Sequence, residues 1–205
     1  PAPARGYNEV LSPPIEHDHW PRWRDYKEYG GGTLADWGAH MFDIAQWGMG
    51  TDHTGPVEII PPSDPAKVFG LRMLYENGVE VEHVDFERGY GVRFIGSDGT
   101  IDVSRSFLDS KPENIVSAEL KDSDTRLYFS DDHYQNWIDC MKSRKPTVAD
   151  AETGHRSASV CNIGNIAYWL KRPLQWNPEK ELFIDDNEAN DLRGKTYRDP
   201  WQLNV

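Results

Sequence analysis

Leu34, Trp37, Met41, Ile44 and Gly48 recur at helical spacing, which predicts a helix over 34–48 with these positions as its buried stripe. Asp36, His40, Asp43 and Trp47 make a second stripe on the same helix. Glycines 48, 50 and 55 and Pro56 end it. From about 56 to 130 the pattern turns strand-like. KVFGLRMLY and VEVEHVDF flank Glu76-Asn77-Gly78, GVRFIG and TIDVSRS flank Ser97-Asp98-Gly99, and IVSAEL and TRLYFS flank KDSD. Each polar turn predicts a hairpin. Turns this short imply an antiparallel meander, because parallel strands need long crossovers. Two helices follow, over about 132–144 and 151–170. The first carries Trp137, Ile138 and Met141 at helical spacing, and the second is rich in small residues that permit close packing. A short helix is expected around 186–193, with the rest of the tail wrapping over the body. The fold class is α+β, with a large, open, predominantly antiparallel sheet and helices packed on one face.

Residues 1–32 follow no such period. Prolines stand at 1, 3, 13, 14 and 21 and glycines at 30–32. This is an irregular connector and pocket segment, and 33–205 is the α+β domain. The opening PAPARGYNEVLSPP reads as a proline-stiffened connector, so more chain is expected upstream of Pro1 in the parent protein. The cluster His17-Asp18-His19-Trp20-Pro21-Arg22-Trp23-Arg24 has two readings. It is either a surface for something polar with flat faces, or an irregular segment pinned to the body by its tryptophans.

Length and composition narrow the class. A chain of 205 residues with eight tryptophans and nine tyrosines can form a substantial core and pocket walls. A net charge of −12 argues against nucleic acid or an anionic membrane as partner. No apolar run approaches membrane-spanning length, so the chain reads as soluble, with no compartment fixed. Cys140 and Cys161 stand apart from each other and from metal spacing, and read as buried small apolar residues. Glu16, His17 and His19 are a thin basis for a metal site, and no metal is expected. Gly30-Gly31-Gly32 lacks the dinucleotide spacing and follows no strand, and P-loop, G-x-S-x-G and H-E-x-x-H motifs are absent.

The chemistry concentrates in GGGTLADWGAHMFDIAQW, residues 30–47. Side chains at i and i+4 lie one turn apart on one helix face, so Asp36 and His40 share a surface. A carboxylate beside an imidazole is a proton-handling pair. The structural alternatives are a variant capping box, Thr33-x-x-Asp36, and a satisfied core histidine at 40. His155 and Arg156, near the start of the second long helix, either line a pocket or cap and solvate that turn.

Together these segments resemble the C-terminal domain of the Gfo/Idh/MocA oxidoreductases. The resemblance rests on W-x-x-W-R at 20–24, on GGGTLADWGAHMFDIAQW, and on the order helix, antiparallel sheet, late helices. HYQNWIDCMKSRKPTVADAETGHRSASVCNIGNIAYWL (133–170) is similar to the family's late helical region. RPLQWNPEKELFIDDNEAN (172–190) is similar to the tail of a bacterial subgroup with sugar-type substrates.

The resemblance implies a role. In that family an N-terminal Rossmann domain binds NAD or NADP, and the C-terminal domain supplies the substrate pocket and an open sheet for oligomerisation. The family's aspartate matches Asp36 and its proton-transferring histidine matches His40. A further lysine, in an E-K-P motif, belongs to the nucleotide domain; this chain has Arg144-Lys145-Pro146 instead. The expectation is a substrate domain acting on a sugar, polyol or related hydroxyl compound, binding no cofactor alone and inactive alone. His40 and Asp36 are its catalytic pair, and Trp20, Trp23, Arg24, Tyr29, Trp37 and His155 line its substrate site. A glycoside hydrolase or epimerase of the same family, or a carbohydrate-binding or assembly module, is the alternative. A homo-oligomer is expected through the sheet face, whose mixture of Arg72, Tyr75, Glu80, Glu82, Arg93 and Asp102 suits a wet interface.

Overall fold

The structure, a computed structural model, describes residues 22–25, 27, 29–195, 197 and 199–201; for Arg22 and Trp23 it describes the backbone. A 3-10 turn over Arg22–Asp25 precedes helix α1 (Gly32–Met49). Strands β1 (Glu58–Ile60), β2 (Leu71–Leu74), β3 (Glu80–His83), β4 (Val92–Gly96), β5 (Gly99–Val103) and β6 (Leu108–Lys111) follow. Then come α2 (Asn114–Ser117), α3 (His133–Ser143), α4 (Ala151–Leu170), β7 (Leu174–Asn177), β8 (Leu182–Phe183) and α5 (Asn187–Asp191). The class is α+β with open antiparallel sheets. There are two sheets where one large sheet was expected: a five-stranded one in the order β3-β2-β1-β7-β8 and a three-stranded one in the order β4-β5-β6. The chain forms two compact units. One takes the described residues up to Ala39, Thr54–Asp85 and those from Ala158 on; the other takes His40–His53 and Phe86–Ser157.

In the first unit, β2 and β3 form the hairpin that Asn77-Gly78 predicts. Gly78 sits at φ +83° and Asn77 Oδ1 accepts from Val79 N at 3.0 Å. Leu71 and Met73 point into the core while Arg72 points out to pair with Glu80. Helix α4 lies close on this sheet because Gly164 has no side chain. A Cβ there would stand 3.0 Å from Leu71 Cδ2 and Met73 Cε. From Val160 to Tyr168, α4 is buried at every position but Asn162, which fits a helix apolar on nearly all sides. Cys161 is buried, and burial pushes its thiol up to about 12, which leaves it inert as a nucleophile. Strands β7 and β8 are absent from the sequence reading, although Leu174 and Trp176 alternate with exposed Gln175. Trp176 packs on Phe183 at 4.8 Å.

In the second unit, Ser97-Asp98 joins β4 to β5 as expected. Asp102 on β5 is 7% exposed and receives Arg93 at 2.7 Å and Arg88 at 3.1 Å. These arginines hold its carboxyl below the usual range, Arg93 first. Buried Asp102, and buried Tyr75 in the first unit, therefore do not belong to an exposed association face. The third expected hairpin does not form. The KDSD turn exists, with Asp124 Oδ2 accepting from Lys121 N at 2.7 Å, but its flanks are not strands. Ser110 Oγ takes Val116 N at 3.2 Å, beside the short helix α2 that replaces the first flank. Leu127 and Phe129 of the second flank stay 53% and 82% exposed, so no apolar partner rewards their alternation.

The buried stripe of α1 also differs from the expected one. Leu34, Phe42, Ala45 and Gln46 are buried, while Trp37 is 38% exposed and Gly48 lies at the surface. Gln46 escaped a pattern built on apolar residues. It is buried because its side chain donates to Thr51 O at 2.9 Å and accepts from Thr51 Oγ1 at 2.9 Å.

Candidate functional site

The start of α1 is built by three glycines, each needed for a different reason. A Cβ on Gly30 would stand 2.5 Å from Arg24 O, so only glycine lets the chain pass under the 3-10 turn. On Gly31 it would lie 2.2 Å from Ala35 Cβ and 2.9 Å from Asn165 Nδ2. Gly32 turns into the helix at φ +66°, a left-handed conformation that favours glycine. Asn165, fully buried on α4, fixes this approach by donating from Nδ2 to Gly31 O at 2.8 Å. Its own Oδ1 is buried without a hydrogen-bond partner. The glycine run is therefore a packing device rather than a phosphate cradle.

This arrangement sets Arg24 against α1. Arg24 Nη1 donates to Asp36 Oδ2 at 2.9 Å, and both side chains are about half exposed, at 49% and 41%. Two expected site residues thus form an ion pair. With the helix beginning at Gly32, Asp36 falls in the second turn, past the first turn that a capping box serves. His40 follows one helical turn after Asp36 on the same helix and is exposed, which removes the core-histidine alternative. Asp36, His40 and Trp47 are exposed and Asp43 is half-buried, as the second stripe predicts. Trp37 stands beside Asp36, 38% exposed. Tyr29 is half-buried before the glycine run, and His155 is exposed in the second turn of α4. Trp20 lies outside the described residues, as does the Trp23 side chain. Glu16, His17 and His19 also lie outside them.

Sequence reasoning missed a set of acids in the second unit. Ser157 Oγ donates to Asp43 Oδ1 at 2.8 Å. Asp52 Oδ1 is buried with no hydrogen-bond partner. Burial raises the Asp52 carboxyl above the ordinary range; the charges of Asp43 and Asp150 add to this and His53 opposes it. Asp43 and Asp52 flank the end of α1, but Asp150 comes about a hundred residues later, so spacing along the chain does not join it to them. Among the described residues no group of three or more His, Cys, Asp or Glu could hold a metal ion. No helix of the described residues is long and apolar enough to cross a membrane.

A family model described as "Oxidoreductase family, C-terminal alpha/beta domain", of the Gfo/Idh/MocA group, matches residues 1–203. No curated protein matches the chain.

Proposed function

The chain belongs to the Gfo/Idh/MocA oxidoreductase family as a C-terminal α/β domain, and from that premise we propose that it is the substrate domain of an NAD(P)-dependent dehydrogenase of sugars or polyols. The observation that carries the reading is the exposed stripe of α1. There a carboxylate paired to arginine stands one turn before an exposed histidine. His40 takes the proton of the substrate hydroxyl, and Asp36 stabilises the charge the imidazole gains. Arg24 holds the Asp36 carboxylate through Oδ2 at 2.9 Å. Trp37 gives the stripe an aromatic face suited to the C–H surface of a sugar.

Family members generally use NAD(P), which accepts hydride from the carbinol carbon. The described residues do not fit that cofactor as its holder. No glycine-rich strand–turn–helix element occurs among them, and packing already occupies the glycine run at 30–32. Cofactor binding is accordingly assigned to a nucleotide domain outside this chain. Calorimetric titration of the chain with NAD and with NADP is expected to give no saturable micromolar signal. The same chain joined to its nucleotide domain is expected to reduce NAD(P) with a member of a sugar and polyol panel. Micromolar binding by the chain alone would overturn the assignment of the cofactor. A joined enzyme inert on the whole panel would overturn the substrate class.

A further inference from the structure

Asn165 differs in chemistry from its surroundings. It is 0% exposed on α4, among Val160, Ile163, Ile166 and Ala167, all 3% exposed or less. An aliphatic side chain would fill that position without leaving an acceptor unbonded, whereas Asn165 Oδ1 is buried with no hydrogen-bond partner. Packing alone therefore does not call for an amide here. The amide holds one main-chain atom: Nδ2 donates to Gly31 O at 2.8 Å. Trp169 follows Asn165 by one helical turn, on the same side of α4. Its ring carries Lys27 Nζ at 4.4 Å from the centroid. One side of α4 thus grips the segment before α1 at two points, Lys27 and Gly31.

The segment so gripped places Arg24. Gly30 lies against the Arg24 main chain, where an added Cβ would meet Arg24 O at 2.5 Å, Cα at 2.7 Å and C at 2.9 Å. With contact this close, a shift of residues 27–31 on α4 passes to Arg24 without slack. Arg24 Nη1 in turn donates to Asp36 Oδ2 at 2.9 Å, and both side chains are about half exposed. An ion pair this exposed is too weak to hold a loop by itself, because solvent screens it and two long side chains lose freedom in forming it. The geometry must come from the buried end of the segment, and Asn165 holds that end. All of these residues belong to the first unit, so the path from α4 to Asp36 runs within a single body.

We propose that Asn165, with Trp169 beside it, is a positioning residue that sets Arg24 on Asp36 from behind the site, without touching substrate. Its effect on turnover rests on the catalytic reading of α1; the placement of Arg24 does not. The placement is read without substrate in a crystal structure of the joined enzyme carrying Asn165→Ala, where Arg24 should stand beyond hydrogen-bond distance of Asp36. In steady-state kinetics Asn165→Ala should lower kcat/KM roughly 10–10²-fold, the scale of a misplacement of about 1 Å. In an Arg24→Gln background the same change should add less than about 2-fold, because it acts through Arg24. Lys27→Met, which keeps the stem and loses the cation, should lower kcat/KM about 2–5-fold, and Lys27→Arg should keep it. Ile163→Val, a core change on the same helix, should lower the melting temperature and leave kcat/KM at the wild-type value. Arg24 still on Asp36 in Asn165→Ala, or losses from Asn165→Ala and Arg24→Gln that multiply, would overturn the proposal. Should Asn165→Ala not fold, Lys27→Met decides, and wild-type kinetics in that variant would overturn the proposal. Arg24 displaced with turnover unchanged would uphold the positioning and overturn instead the catalytic reading of α1.

Discussion

Replacing His40 with asparagine is expected to cut turnover of the joined enzyme by roughly 10²–10⁴-fold, the usual contribution of a positioned general acid–base. Asparagine keeps a similar polar volume but cannot carry the proton. Melting is expected to stay near wild type, because His40 is exposed and no core packing is lost. Steady-state kinetics beside a thermal melt separate the two roles. Activity that survives while stability falls by several kcal/mol would return His40 to a structural part.

The second large effect falls on stability. Gly31→Ala puts a methyl group 2.2 Å from Ala35 Cβ and 2.9 Å from Asn165 Nδ2. Neither neighbour is the far end of a flexible chain, so backbone must move. Overpacking of this kind costs about 1–3 kcal/mol. Pushing the chain off Asn165 also frees a buried donor, which costs about 1–3 kcal/mol more. For a chain of this size the sum lowers the melting temperature by roughly 4–24 °C. Gly154→Ala is the control. That site lies inside α4 with nothing within 4 Å of the added carbon, so the change should be neutral or stabilise by up to ~1 kcal/mol. Calorimetric melts of the two variants give the comparison, and a Gly31→Ala melt matching wild type would show that the glycine run is not a packing device.

What could be read from the sequence follows from the range of the forces involved. α4 was placed from local spacing, and α1 and α3 to within two residues at either end. The Asn77-Gly78 and Ser97-Asp98-Gly99 turns were placed because positive-φ chemistry is local too. Burial was harder. The apolar positions Trp137 and Met141 carry the same periodic signal whether they face a core or solvent, and here they face solvent. Gln46 and Asn165 lie in the core because of hydrogen bonds to Thr51 and Gly31, which a count of apolar residues cannot detect. The place of β7 beside β1 is a pairing across more than a hundred residues, which local spacing does not encode. Asp36 and His40 could be placed one turn apart because one helix carries both residues. Arg24 was read as a wall residue. Its place on Asp36 depends on Gly30 letting the 3-10 turn close down, a contact between segments that spacing does not encode.

In the proposed reading Asp36 and His40 act together in proton transfer, with Arg24 holding the Asp36 carboxylate. The decisive measurement is kcat/KM of the joined enzyme for wild type, Asp36→Asn, His40→Asn and the double variant. Residues that act as one unit give grossly non-additive losses, so each single change should lower kcat/KM steeply and the double variant should fall little below His40→Asn alone. Losses that simply multiply, or an Asp36→Asn enzyme as fast as wild type, would separate the two residues and leave Asp36 a structural partner of Arg24.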